Sequence, residues 1–199
     1  VSPHLGLLFL RSRGLVAHGA FLVVSALAAA FAVAELDGVP LSAARSVLRL
    51  SWLACLPGVM VAGFAAPPGD AELRAPRRPL AWWRLGWFGA LLLVPVALCL
   101  VFHPEAASLE GVWFARNHAF MLSLSLLAAQ VLRPSAAWLP GTWYLLVCWF
   151  LGTKDGLGTP WWWALPGYGP YDPAAGAITV VMTLGAAWTT VARPARVDG

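Results

Sequence analysis

Six runs of apolar residues, each bounded by charged or helix-breaking positions, account for most of this 199-residue chain. They fall at about 15–34, 46–66, 85–102, 113–132, 136–151 and 174–192. A helix rises about 1.5 Å per residue and bilayer hydrocarbon is about 30 Å thick, so roughly 20 mostly apolar residues make one crossing. Only a helix satisfies its own backbone donors and acceptors in hydrocarbon, so each run predicts a transmembrane helix. Pro57 and Pro95 interrupt the second and third runs and predict kinks there. No stretch between the runs is long enough to fold separately. The expectation is an all-α polytopic membrane protein, a single bundle of about six transmembrane helices forming one integral membrane domain over 1–199.

Arg11 and Arg13 ahead of the first run resemble the basic start of a secretory signal peptide. The apolar run is too long for one, however, and Glu35-Leu36-Asp37 after it offers no small-residue cleavage site. The first run is therefore read as a retained span.

Composition agrees with lipid as the main solvent: 60% of residues are hydrophobic, 11% are charged, and the mean hydropathy is +0.73. Charge adds an orientation. With both termini in the cytoplasm, Arg11, Arg13, Arg74, Arg77, Arg78, Arg84, Arg133, Arg193 and Arg196 fall inside, and only Arg45, Lys154 and the boundary residue Arg116 fall outside. The acidic residues show the reverse bias, with Glu35, Asp37, Glu105, Glu110, Asp155 and Asp172 outside. Tryptophans near the expected interfaces give a third line of agreement: Trp82, Trp83, Trp87 and Trp138 inside, Trp52, Trp113 and Trp149 outside. The net charge of +4 thus reports topology and gives no ground for nucleic-acid binding.

Several kinds of chemistry lack their signatures. There is no GxxxxGK[ST] to cradle ATP phosphates, and no HExxH or GxSxG motif. The chain by itself therefore carries no catalytic residues that can be named, and no bound cofactor is expected of it. Cys55, Cys99 and Cys148 lie inside expected spans without CxxC spacing, which fits neither a disulfide framework nor a zinc site. Ionisable residues within the spans are few. Arg49 and His18 lie close enough to span ends to reach an interface.

Three places hold candidate chemistry. Arg116-Asn117-His118 is a polar cluster in the outer part of the fourth span, with His103 at the outer end of the third. Two imidazoles there would begin a haem or copper site with an incomplete ligand set; a hydrogen-bonded cap between helices is the other reading. The cytoplasmic loop 67–84 carries Asp70, Glu72, Arg74, Arg77, Arg78 and Arg84. Asp70 suits a helix N-cap and Glu72 the first turn, and the segment reads as a headgroup-bound basic loop or a docking surface for a cytoplasmic protein. The external loop 152–173 is rich in glycine and proline around Trp161-Trp162-Trp163 and is expected to fold back on the outer leaflet as an interfacial element.

The layout of six spans, a short amphipathic lead-in at 5–13, a charged segment after the second span and an interfacial element between the fifth and sixth resembles the permease subunit of a type 2 ABC transporter. The residues Ala71-Glu72-Leu73-Arg74, Arg78-Pro79-Leu80, Trp83-Arg84 and Ala115-Arg116-Asn117 are similar to those of small actinobacterial transporter permeases. The chain is shorter than such permeases, with a reduced lead-in helix. The resemblance implies an exporter subunit for a hydrophobic or amphipathic substrate, driven by a separate cytoplasmic ATPase that binds the ATP and docks at 70–84, with a second copy or a related chain completing the substrate path. Two alternatives stand beside it: an accessory or structural subunit of a larger membrane complex, and a membrane metal or haem enzyme centred on His103, Asn117 and His118. High Ala, Arg, Gly, Trp and Pro usage points to a GC-rich bacterial genome, hence a bacterial inner membrane.

Overall fold

The computed structural model describes residues 77–102, 109–132, 136, 138–152, 154, 159–169 and 171–192. The first two expected spans, residues Asp70, Glu72 and Arg74, and His103 lie outside that set. Among the described residues the chain is all-helical, with four α-helices: α1 Arg77–Phe102, α2 Leu109–Ala128, α3 Trp138–Leu151 and α4 Pro173–Ala192. A 3-10 turn, Leu165–Gly167, lies between α3 and α4.

The helix ends follow local chemistry more closely than hydropathy does. α1 begins at Arg77, eight residues before the apolar run, because Pro79 falls in its first turn, where the backbone N–H has no helical acceptor to miss. Arg77, Arg78 and Arg84 of the expected docking loop are thereby helical. α2 starts at Leu109 and ends at Ala128, four residues earlier at both ends than the apolar run. Ala129 to Leu132 close it as a turn held by the carbonyls of Ser125, Leu127 and Ala128, two residues ahead of Pro134. α4 opens with Asp172 as its cap: Oδ1 accepts the Ala175 N–H at 2.8 Å, and Pro173 takes the first helical position.

α3 ends at Gly152, whose N–H donates to the Cys148 carbonyl at 2.9 Å while its own carbonyl accepts the Trp161 N–H at 2.9 Å. A Cβ on Gly152 would overlap the Cys148 carbonyl oxygen. Gly152→Ala is accordingly expected to destabilise the fold by about 1–3 kcal/mol, the range for forced overpacking, seen as a lower thermal midpoint in detergent. An unchanged midpoint would mean that the helix end gives way without cost.

α2 is the hub. His118 meets Leu91 across α1, and Leu122 and Leu126 share a cluster with Phe88, Leu91 and Ala186 of α1 and α4. On its other side Phe114, Phe120 and Met121 pack with Leu145 and Cys148 of α3 and with Ala164. Phe120 and Tyr144 rings lie 5.5 Å apart. Arg116 reaches Gly169, just ahead of α4, and Ser123 reaches Thr183 on it. These pairings run α1 and α3 antiparallel to α2, and α4 parallel to it.

Beside its two apolar clusters the bundle buries several polar side chains, while large apolar ones face outward. Arg116, Asn117, His118, Ser123 and Ser125 of α2 and Thr179 of α4 are buried. Large apolar side chains face outward on the surrounding helices: Leu93 and Val101 on α1, Trp143 and Phe150 on α3, Val181, Leu184 and Trp188 on α4. α4 turns small residues inward, with Ala175, Thr179 and Ala186 buried, which lets backbones approach closely. Its Thr179 and Thr183 hydroxyls return to the carbonyls four residues back, at 2.8 Å each, so their polarity is absorbed by the helix. α4 is also the one described helix long and apolar enough to cross a bilayer; α1 contains a shorter apolar stretch, Trp82–Ala97.

Candidate functional site: a polar clamp at one end of the bundle

Trp113, Arg116 and Asn117 stand at i, i+3 and i+4 and so share one face of α2. All three point their donors at the backbone of the segment between α3 and α4. Trp113 Nε1 donates to the Pro166 carbonyl at 2.7 Å, and Asn117 Nδ2 donates to the same carbonyl at 3.2 Å. The Arg116 guanidinium donates to three further carbonyls: Gly169 through Nη1 at 2.5 Å, and Leu165 and Tyr168 through Nη2 at 3.2 and 2.9 Å. Asn117 Oδ1 accepts from Nε and Nη2 at 3.3 and 3.1 Å, which orients the guanidinium plane toward the turn.

The other wall of the clamp is α3. Tyr144 Oη donates to the Trp163 carbonyl at 2.6 Å and accepts the Leu165 N–H at 3.1 Å. Residues 163–169 are thus bound through their main chain on both sides. The carbonyls of Leu165 and Gly169 also accept the Tyr168 and Asp172 N–H groups, so the guanidinium takes up their second acceptor positions and supplies a donor to Tyr168. Charge balance comes from Asp172, whose field acts on the Arg116 guanidinium while its Oδ1 caps α4. The guanidinium therefore ties α2 to the turn, and Asp172, which starts α4, lies within reach of its charge.

His118 does separate work. Pro95 has no N–H, so the carbonyl four residues back, that of Leu91, lacks its helical donor. His118 Nε2 lies 2.9 Å from that oxygen. A carbonyl only accepts, so Nε2 carries the proton. The imidazole also stacks on Phe114, with ring centroids 5.8 Å apart and planes at 17°. It repairs the proline break in α1 from across the helix interface.

The three adjacent residues of the expected outer cluster therefore part ways: Arg116 and Asn117 serve the turn, and His118 serves α1. His103 lies outside the described residues. With Nε2 of His118 engaged, only Nδ1 would remain for a metal. Among the described residues, no three His, Cys, Asp or Glu side chains gather as a metal site. Of the tryptophan triplet, Trp162 is fully outward and Trp161 partly so, whereas Trp163 packs against the α2–α3 cluster. Lys154 Nζ lies 5.3 Å from the centre of the Trp161 ring.

Tyr144 and Leu91 are partners in this site that the apolar pattern did not single out, while Trp113, Asp172 and Pro95 entered the sequence reading only as an interfacial ring, an outer acid and a kink. Asp172-Pro173 at the start of an apolar run is a helix-start signal, and Trp113-x-x-Arg116-Asn117 is a same-face spacing; both were readable.

No family model, curated protein or solved structure matches this chain.

Proposed function

We propose that the chain is an integral membrane protein, a bundle of about six helices with cytoplasmic termini in a bacterial inner membrane, and that it is the permease subunit of an ABC-type exporter. The observation that carries the membrane reading is the outward apolar surface combined with buried polar groups: an Arg, Asn, His and two Ser inside on the hub helix, surrounded by helices whose large apolar side chains face out. In water that arrangement would expose extended apolar surface, whereas in lipid polar side chains are expected to face the bundle interior. Lengths fit as well. α2 and α4, at 20 residues each, reach about 30 Å. α3, at 14 residues, reaches only about 21 Å, and the clamped 161–169 segment lies at the end where its missing turns would be.

The permease reading is supported by α1. It is helical over 26 residues from the basic Arg77-Arg78 end, about 39 Å and longer than the hydrocarbon alone, with one backbone bond missing at Pro95. A displacement applied at that end by a docked ATPase would pass along the helix into the bundle, to the Leu91–Pro95 position that His118 braces. The substrate class is hydrophobic or amphipathic, in keeping with outward-facing apolar helices and an interior whose polar groups bind the protein's own backbone. That last fact also favours the second reading, an accessory subunit: Arg116, Asn117 and His118 all donate to main-chain carbonyls of this chain.

Two measurements test this. The chain should stay in the membrane pellet after an alkaline carbonate wash and require detergent for release. Purified from its native membrane in mild detergent, it should bring down a stoichiometric P-loop ATPase, and Arg77→Glu with Arg78→Glu should release that partner. Recovery with a large assembly lacking an ATPase would replace the permease reading by the accessory one. A chain that leaves the pellet without detergent would remove both.

A further inference from the structure

We propose that the outward face of α3 and the rim above it form a site for one anionic phospholipid of the outer leaflet, with the lipid phosphate at the Lys154 ammonium. The inference rests on the membrane reading above and names a partner for a surface that reading leaves bare. α3 has two faces. Gly141, Leu145 and Cys148 are buried, and on the opposite side Leu139, Trp143, Val147 and Phe150 form an exposed stripe at spacings of four, four and three residues. From Leu139 to Phe150 the stripe is about 16 Å long at 1.5 Å per residue. One leaflet contributes about 15 Å, half of the roughly 30 Å of hydrocarbon, so the stripe matches one extended acyl chain.

Above Phe150 the surface changes character. The end of α3 is joined to the tryptophan segment by two backbone bonds, Lys154 N–H to the Thr159 carbonyl and Trp161 N–H to the Gly152 carbonyl, at 2.9 Å each. They fix Lys154 and Trp161 together, with Nζ 5.3 Å from the ring centre, and Lys154 remains exposed. A ring beneath the ammonium orients it while leaving its donors available to an oxyanion.

Lys154 is the single lysine of the chain, and in the proposed topology it lies on the side that holds few other cations, Arg45 and the boundary residue Arg116. The positive-inside pattern gives no reason for a cation there, and charge complementarity with a phosphodiester does. Trp162 beside it is 76% exposed, an amphipathic ring suited to headgroup depth.

The experiment is lipid retention by native mass spectrometry, with the full chain in mixed micelles of phosphatidylglycerol and phosphatidylcholine of matched acyl chains. The wild type is expected to retain one phosphatidylglycerol about fivefold in preference to phosphatidylcholine, in line with a single lysine near an anionic surface. Lys154→Gln should abolish the preference and Lys154→Arg should keep it. Trp143→Ala should lower retention of both lipids alike, because it removes acyl contact without touching charge. Equal retention of the two lipids by the wild type, or an undiminished preference in Lys154→Gln, would overturn the proposal. Failure of the membrane reading shows separately, in the carbonate wash.

Discussion

Arg116→Leu is expected to unlatch the 163–169 segment and to destabilise the fold by about 3 kcal/mol or more. The substitution keeps side-chain volume but removes the donors that three carbonyls share, those of Leu165, Tyr168 and Gly169. A hydrogen bond to a charged group contributes about 1.5–3 kcal/mol, and although the Leu165 and Gly169 carbonyls keep the Tyr168 and Asp172 N–H groups, the Tyr168 carbonyl loses the guanidinium donor. Asp172 would also lose the cation that its field acts on. Lysine restores charge without the planar fork, so Arg116→Lys should recover only part of the loss. Thermal unfolding in detergent gives the magnitude, and limited proteolysis between 159 and 172 reports whether the segment has come loose. A leucine variant as stable and as protease-resistant as the wild type would show that the guanidinium holds nothing.

The second large effect is a coupling. His118→Leu should cost about 1–3 kcal/mol, because the Leu91 carbonyl then has neither its helical donor nor the imidazole. Pro95→Ala returns an N–H to position 95 and with it the ordinary bond to Leu91. In that background the same His118→Leu change should be milder by about 1–2 kcal/mol, the size of interaction energy found between residues that share a partner. A double-mutant cycle on unfolding free energies measures it. Strict additivity would mean that the histidine and the proline are unrelated neighbours.

These two sites show where the sequence was informative and where it was silent. Helix existence was legible for α1 to α4, since long apolar runs have few other readings, and Arg116-Asn117-His118 was conspicuous as a polar interruption. The partners outside the cluster were not legible, because the groups that accept its hydrogen bonds there are backbone carbonyls, and a carbonyl looks alike in all residue types. Only geometry could separate Arg116 and Asn117 from His118, which the chain places side by side. One partner was within reach of reasoning: Pro95 names Leu91 as an orphan acceptor by the four-residue offset of the helix, so a donor had to come from elsewhere. The start of α1 was misplaced by hydropathy because Arg77, Arg78 and Arg84 are poor span residues and perfectly good helix residues.

The distance along the chain between Arg116 and the turn it clamps also bears on how the protein is made. Gly169 follows Arg116 by 53 residues. In a bilayer, as proposed here, α2 would leave the ribosome and meet lipid while its acceptors are still untranslated, and an arginine within a span disfavours insertion, by up to about 2.5–3.5 kcal/mol at the centre and less toward the boundary where Arg116 lies. Asn117, the neighbour already synthesised, is the one early acceptor for the guanidinium. The hub of the bundle would then settle fully only once the turn and α4 emerge, so that a chain truncated before residue 165 would keep the packing of α2 on α1 and α3 but leave the Arg116 guanidinium without its carbonyls.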